Sequence, residues 1–395
     1  MSNYPNSQYI AIKSDGTVIN YYYHGDFGIC SSVLSSPGKW NNAVSNADDA
    51  KKDYSVGMDV QDTVYIIYRN KEGSIKVILH NGLVSKTMEL LRSKSNPDYN
   101  MFPQIIPSSE LCHVFYIIEN AGKKIICHQT LKSGKPLTPV AIDYIKYDPV
   151  YAPYSVANTS GRIFLLYTAL TDEQETPGYK IYDKSTSKWS KLIPLTKPGQ
   201  ALYSPFISSC DDRVLITYVK KYEDATYIIT RSLSNTDGSP LAEQETLRCT
   251  DPDIFPKLLM LPNENIIHWR EDRQVKYVSF FNSAKNPSLR TLEFADRNPS
   301  LDFNVIANIN QKLVQGWLVP GNFSNGLTLG FIQIPEPSGA SRTPAPYLHE
   351  TKSSSSYFAL SDEYKVFERM QGKIADLEKK IRQLSDRISA LEKNR

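Results

Sequence analysis

The sequence is poorest in the features that announce a function. Nothing in its 395 residues approaches eighteen consecutive apolar positions, so no transmembrane helix is expected. The opening Met1-Ser2-Asn3-Tyr4-Pro5-Asn6 has neither a basic stretch nor an apolar one. The expectation is a chain without a secretory signal, cytoplasmic or exported by a route that cleaves none. Charge of one sign is also missing: the formal net charge is +3. That gives no reason to expect a nucleic-acid or anionic-membrane partner, whose footprint is a strong basic excess. Cysteine is sparse and odd in number, five in all: Cys30, Cys112, Cys127, Cys210 and Cys249. A disulfide framework is therefore not the design, and a reducing compartment is the simplest reading. Glycine-rich phosphate loops, His-Glu-x-x-His and Gly-x-Ser-x-Gly are all absent.

Tyrosine is what the chain has in plenty, 25 residues against 14 Phe. It suits half-buried strands and surfaces that stack on sugars or protein partners. Its placement is periodic. Taking an opening aromatic as anchor gives Tyr9, Tyr54, Phe102, Tyr151, Tyr203, Phe255 and Phe303, spaced 45 to 52 residues apart. Each is followed 13 to 16 residues later by a second aromatic: Tyr22, Tyr68, Tyr116, Tyr167, Tyr218, Trp269 and Trp317. Four anchors carry Pro shortly after, as Pro103, Pro153, Pro205 and Pro256. Within a unit the apolar runs read as strands, for instance 54–58, 63–68, 74–79 and 83–90. Turn signals such as Lys71-Glu72-Gly73, Asn120-Ala121-Gly122 and Thr236-Asp237-Gly238 separate them. No useful helical periodicity precedes residue 360.

About four antiparallel strands every ~50 residues is a blade-like repeat, which must stack on its neighbours to bury both faces. Over residues 9–334 the sequence resembles the seven-bladed β-propellers in architecture. The Gly-His…Trp-Asp pairing of WD repeats and the double Gly of kelch repeats are absent, and Ser14-Asp15-Gly16-Thr17 resembles a sialidase Asp box only once. The resemblance implies an all-β fold and no particular activity. The seventh unit reads as 303–306, 313–318 and 327–334 before Pro335, one strand short. Either unit one is misregistered or the ring closes on a three-stranded blade.

From Pro335 to residue 360, Pro, Ser, Gly and Thr make a linker. Ser361 is a helix N-cap, with Asp362 and Glu363 in the first turn. Phe367, Met370, Ile374, Leu377, Ile381, Leu384, Ile388 and Leu391 then alternate steps of three and four, an unbroken coiled-coil seam. Parallel association sets Lys373 against Glu378 and Arg387 against Glu392, whereas antiparallel pairing would oppose like charges. The expected partner is another copy of this chain, as a parallel dimer or trimer over 361–395.

Candidate chemistry is thinner. Cys112-His113 and Cys127-His128 flank a hairpin expected to turn about Asn120. Alternation sends the cysteines to one face and the histidines to the other, so four metal ligands do not converge and no metal or cofactor is expected. Asp211-Asp212, Asp251-Pro252-Asp253 and Glu271-Asp272 lie in apparent turns, unlike the facing carboxylates of a glycosidase. Arg162, Arg213 and Arg270 fall in or beside unit strands and are the candidates for a sialidase-type cluster. No catalytic residue is assigned. Trp40, Tyr144, Tyr147 and Trp189 stand outside the repeat anchors and are the candidate ligand contacts. The expected function is a non-catalytic, multivalent binding protein, lectin-like or protein-binding. A propeller glycoside hydrolase or sialidase and an intracellular scaffold are the alternatives.

Overall fold

The computed structural model describes residues 8–332 apart from 37–38, 82–83, 94–96, 109–110, 133, 150–151, 172–173, 198–201, 223–224, 250–253, 272–273, 281–287, 294–300, 310–311 and 324–326. The linker and heptad calls, and the anchor Tyr151, fall outside the described residues, as do Asp251, Asp253 and Asp272. Contacts divide the chain into Met1–Arg342 and Thr343–Arg395. The first unit is described below.

The described part is all-β, with no helix among the described residues. Seven successive meanders account for it. The first holds β1 (Gln8–Ile12), β2 (Val18–His24), β3 (Gly28–Ser36), β4 (Lys39–Trp40) and β5 (Val44–Ala47). The second holds β6 (Ala50–Met58), β7 (Val64–Asn70), β8 (Ile75–Asn81) and β9 (Val84–Leu91). The third is β10 (Gln104–Ile106), β11 (Leu111–Asn120), β12 (Lys123–Lys132), β13 (Lys135–Pro136) and β14 (Val140–Tyr144). The fourth is β15 (Tyr154–Asn158), β16 (Arg162–Thr171), β17 (Gln174–Asp183), β18 (Lys188–Trp189) and β19 (Ile193–Pro194). The fifth is β20 (Tyr203–Cys210), β21 (Arg213–Lys221), β22 (Thr226–Leu233) and β23 (Pro240–Cys249). The sixth is β24 (Lys257–Met260), β25 (Asn265–Glu271), β26 (Gln274–Phe280) and β27 (Arg290–Leu292). The seventh is β28 (Leu301–Ile309), β29 (Lys312–Asn322) and β30 (Thr328–Leu329).

These make six hydrogen-bonded sheets, because the first and seventh meanders share one, in the order β30-β29-β28-β1-β2-β3-β4. The join is a parallel pairing of β1 with β28, with Ile10 opposite Val305. Each meander packs on the next, and this pairing brings the last back to the first. The arrangement fits a propeller. Among the described residues the seventh meander ends on a two-residue third strand, and parallel pairing of first strands joins it to the first.

The closing aromatics of the repeat are the packing between meanders, whereas the anchor Tyr203 is 42% exposed. Tyr68, Tyr116, Tyr167, Tyr218, Trp269 and Trp317 are all nearly inaccessible. One closing aromatic and one anchor are corrected. Tyr9 faces Tyr21, which is buried where Tyr22 is half-buried, so the first unit is shifted by one residue. In the fourth, Tyr154 lies opposite Tyr167, three positions beyond the expected Tyr151. The buried hydroxyls of these side chains bridge meanders. Tyr54 Oη donates to Tyr21 O at 3.3 Å, and Tyr154 Oη donates to Phe102 O. Tyrosine thus supplies apolar area and a seam hydrogen bond together, which Phe cannot.

Candidate functional site

The site begins with an interruption in an outer strand. In the first meander β3 is flanked by two short pieces, β4 and β5, instead of one continuous strand. Trp40 pairs opposite Leu34, the Asn41 amide donates to Val33 O at 2.9 Å, and the chain then leaves the sheet and returns with Val44 opposite Ser31. The return is fixed at its far end by Gly28. Its φ is +67°, and a Cβ there would lie 1.9 Å from Ala47 O, so only glycine lets β5 close onto β3. Ser45 Oγ donates to Phe27 O at 2.7 Å, and Asn46 Nδ2 donates to Val44 O at 3.3 Å, pinning the rim.

The excursion leaves an open hollow of ≈ 570 Å³ lined by Ser31, Val33, Trp40, Asn41, Asn42 and Val44. Trp40 is half-buried and set edge-on against Phe323 of the seventh meander, with ring centroids 6.0 Å apart. Phe323 is braced by Phe303 at 5.1 Å. An indole held from behind, two exposed carboxamides, one hydroxyl and two valines form the lining. None of the six is ionisable. Such a lining offers an aromatic face to C–H groups and paired donors and acceptors to hydroxyls.

The same interruption recurs in the third and fourth meanders, where it is closed. Pro136 and Trp189 stand opposite Leu131 and Tyr182, as Trp40 stands opposite Leu34. The following amides repeat the same bond, Leu137 N to Thr130 O and Ser190 N to Ile181 O, each at 2.8 Å. In the third meander a proline replaces the indole, and Gln129 Nε2 donates to Leu137 O at 2.8 Å across the gap. In the fourth, Leu192 and Ile193 fold into the neighbouring cores. Gly178 lies so close beneath that a Cβ would meet Ile193 O at 2.7 Å.

Of the four expected contacts, Trp40 is in the hollow and the other three are not. Trp189 is turned onto the third meander: its Nε1 donates to His128 Nδ1 at 3.2 Å, and it packs edge-on against Phe115 and His128. Tyr147 bridges two meanders, its hydroxyl accepting from Asn100 N at 2.9 Å and donating to Asn100 O at 3.2 Å. Tyr144 is 39% exposed on the edge of the third meander, with Asn120 Nδ2 donating to its hydroxyl at 3.4 Å. The eight heptad residues lie outside the described residues.

Other candidates resolve into structural roles. Cys112 and Cys127 share one core cluster while His113 Nδ1 and His128 Nε2 meet at 3.0 Å on the other face. The faces match the expectation, but the register does not. Asn120 pairs with Lys123, so Cys112 stands opposite Leu131 and Cys127 opposite Tyr116. Among the described residues no three metal-ligating side chains gather. The three arginines do not converge on a common ligand: Arg162 donates to Asn235 O, Arg213 to Leu261 O at 2.7 Å, and Arg270 pairs with Asp302 at 3.0 Å. Each ties one meander to the next. Asp212 accepts from Ser160 Oγ at 2.9 Å, another link of that kind.

Ser31, Val33, Asn41, Asn42 and Val44 went unread in the sequence. The available signal was the dipeptide Lys39-Trp40 recurring as Lys188-Trp189, each just past the third long strand of its unit. Asn41-Asn42 follows the first, whereas Ser190-Lys191-Leu192-Ile193 follows the second.

No protein-family model matches the chain, and no curated protein matches it. Solved structures do. The BP39L lectin from Burkholderia pseudomallei is similar over 84% of this chain and 100% of its own, with a TM-score of 0.55 and 13% identity. A polysaccharide lyase of family PL25, an ulvan lyase bound to -[GlcA(1-4)Rha3S]-, is similar over 83% of this chain and 91% of its own. There the TM-score is 0.50 and the identity 9%. At such identities the likeness is one of fold.

Proposed function

We propose that this chain is a non-catalytic carbohydrate-binding protein, a seven-bladed propeller carried in two or three copies by a parallel coiled coil over 361–395. The observation that carries the reading is the Trp40 hollow: a braced indole, amides and a hydroxyl in an open recess on a rigid β scaffold. The fold is one that a lectin, BP39L, also uses, and the same fold class serves a polysaccharide lyase. Fold alone does not choose between binding and cleavage. The choice rests on the lining, which has no ionisable side chain to take or give a proton.

The test is glycan-array binding by the full-length protein beside its Trp40→Ala variant. The expected result is a coherent family of hits whose signal falls at least about tenfold in the variant, the loss of one well-placed aromatic contact. A blank array from folded protein would move the reading to a protein partner, sought by pull-down with the propeller as bait.

A further inference from the structure

We infer that the Trp40 hollow takes an uncharged sugar residue, and takes one per chain. The inference rests on the carbohydrate reading above and adds the ligand's charge class and the valency.

The charge class follows from what surrounds the recess. Ser31, Val33, Trp40, Asn41, Asn42 and Val44 line it, and none is cationic, so a carboxylate or a sulfate would meet hydrogen-bond donors but no ion pair. An anionic sugar entering would shed water from its charge with no cation to replace it. The nearest basic residue in sequence, Lys39, precedes Trp40 on β4, where successive side chains point to opposite sides. It is not among the lining residues. A neutral pyranose meets each group with its match. Its C–H face lies on the indole and the valines, and vicinal hydroxyls find a carboxamide that both donates and accepts. Ser31 Oγ is 3.4 Å from Asn46 Oδ1, a long contact that a sugar hydroxyl can replace or share.

The valency follows from comparing the three interrupted outer strands. They share a backbone pattern, with one residue opposite the end of the third strand and the next amide bonded across. In the third meander Pro136 removes the aromatic wall and Gln129 crosses the gap. In the fourth, Trp189 is committed to His128, and Leu192 and Ile193 occupy the return. Among the described residues the second, fifth and sixth meanders have a single outer strand, and the seventh has none. Among the described residues, one interrupted strand therefore combines an aromatic wall with an open floor.

The experiment is titration calorimetry on the full chain. The ligands are the methyl glycosides of glucose, galactose, mannose, fucose and N-acetylglucosamine, with methyl glucuronide and galactose 3-sulfate in parallel. The inference expects saturable binding of at least one neutral glycoside with a stoichiometry of one per chain. Affinity should change by less than about twofold between roughly 0.05 and 0.5 M NaCl, because no ion pair is screened. Asn42→Ala, an exposed loop substitution, should weaken binding at least about fivefold, the loss of hydrogen bonds to one carboxamide. Trp40→Ala should weaken it at least as much, and Asn42→Ala guards against misfolding from the lost Phe323 contact. Binding confined to the acidic ligands, or more than one site per chain, would overturn this inference and leave the carbohydrate reading standing. Binding of a neutral sugar that is indifferent to both substitutions would also overturn it. No binding of any of the seven would sink this inference together with the carbohydrate reading.

Discussion

Three buried histidines tie folding to acidity. His113 Nδ1 and His128 Nε2 lie 3.0 Å apart, and Trp189 Nε1 donates to His128 Nδ1. His128 must then carry its proton on Nε2 and donate to His113, an assignment made by the network. Burial pushes His113 down to about 3, with the neighbouring His128 and Lys184 adding to it, and holds His128 at about 4. His268 is held at about 4 by burial, which outweighs the nearby Asp302. Its Nε2 donates to Leu318 O at 2.9 Å, joining the sixth and seventh meanders. In the unfolded chain each would titrate near 6.5. Between that value and about 4 the unfolded chain binds the extra protons, so stability is complete above pH 6.5 and falls as pH drops towards 4. For His268 alone the loss is about 3 kcal/mol at its limit. Urea midpoints measured from pH 7.5 to 4.5 should decline through this window. The decline should be shallower in a His268→Gln variant, and parallel curves for the two proteins would refute the assignment.

Between elements, the second and third meanders are stitched by a buried carboxylate. Asp53 accepts from Met101 N at 2.6 Å and Phe102 N at 3.1 Å, with Arg69 3.5 Å away. Arg69 in turn donates to Pro97 O at 2.9 Å and Tyr99 O at 2.7 Å. The group also holds Phe102 in a left-handed conformation, φ 47°, which is unfavourable for an aromatic residue. Asp53→Ala strands the guanidinium and two amides at once, so a loss of about 3–5 kcal/mol is expected by urea unfolding. A change below about 1 kcal/mol would show the stitch to be dispensable. None of this pairing was legible in the sequence, because alternation tells which face a residue takes and not which neighbour it meets. Strand positions were legible: the runs 63–68 and 74–79 became β7 and β8 with shifts of one or two residues. The hairpin after β11 shows where reading stops. Its two central residues are Ala121 and Gly122, at φ 50° and 75°. Alanine is a reluctant occupant of such a turn, yet the turn expected about Asn120 sits at Ala121-Gly122, which sets Cys112 opposite Leu131. The hollow failed to show for a related reason. It depends on a strand leaving its sheet, and Trp40 and Trp189 share the same local sequence signal with opposite outcomes.

At the scale of the molecule, closure and valency are linked. Among the described residues the seventh meander has no outer strand, and it is joined to the first by β1 pairing in parallel with β28. Trp40 is braced by Phe323 of that last meander, so a site built mostly from the first depends on the closure. On the proposed reading, a single open sugar site per chain buries little area and so binds weakly. The proposed coil over 361–395 answers that weakness by linking two or three recesses. The second contact then forms at a millimolar effective concentration, and avidity can exceed single-site affinity by about 100-fold or more without any new contact. A chain ending at residue 360 should sediment as a monomer and titrate against a soluble monovalent sugar with unchanged affinity. On a densely glycosylated surface it should dissociate about 100-fold faster than the full chain. Equal surface residence of the two would detach the heptads from binding. Loss of monovalent affinity in the shorter chain would instead mean that the C-terminal segment contributes to the recess itself.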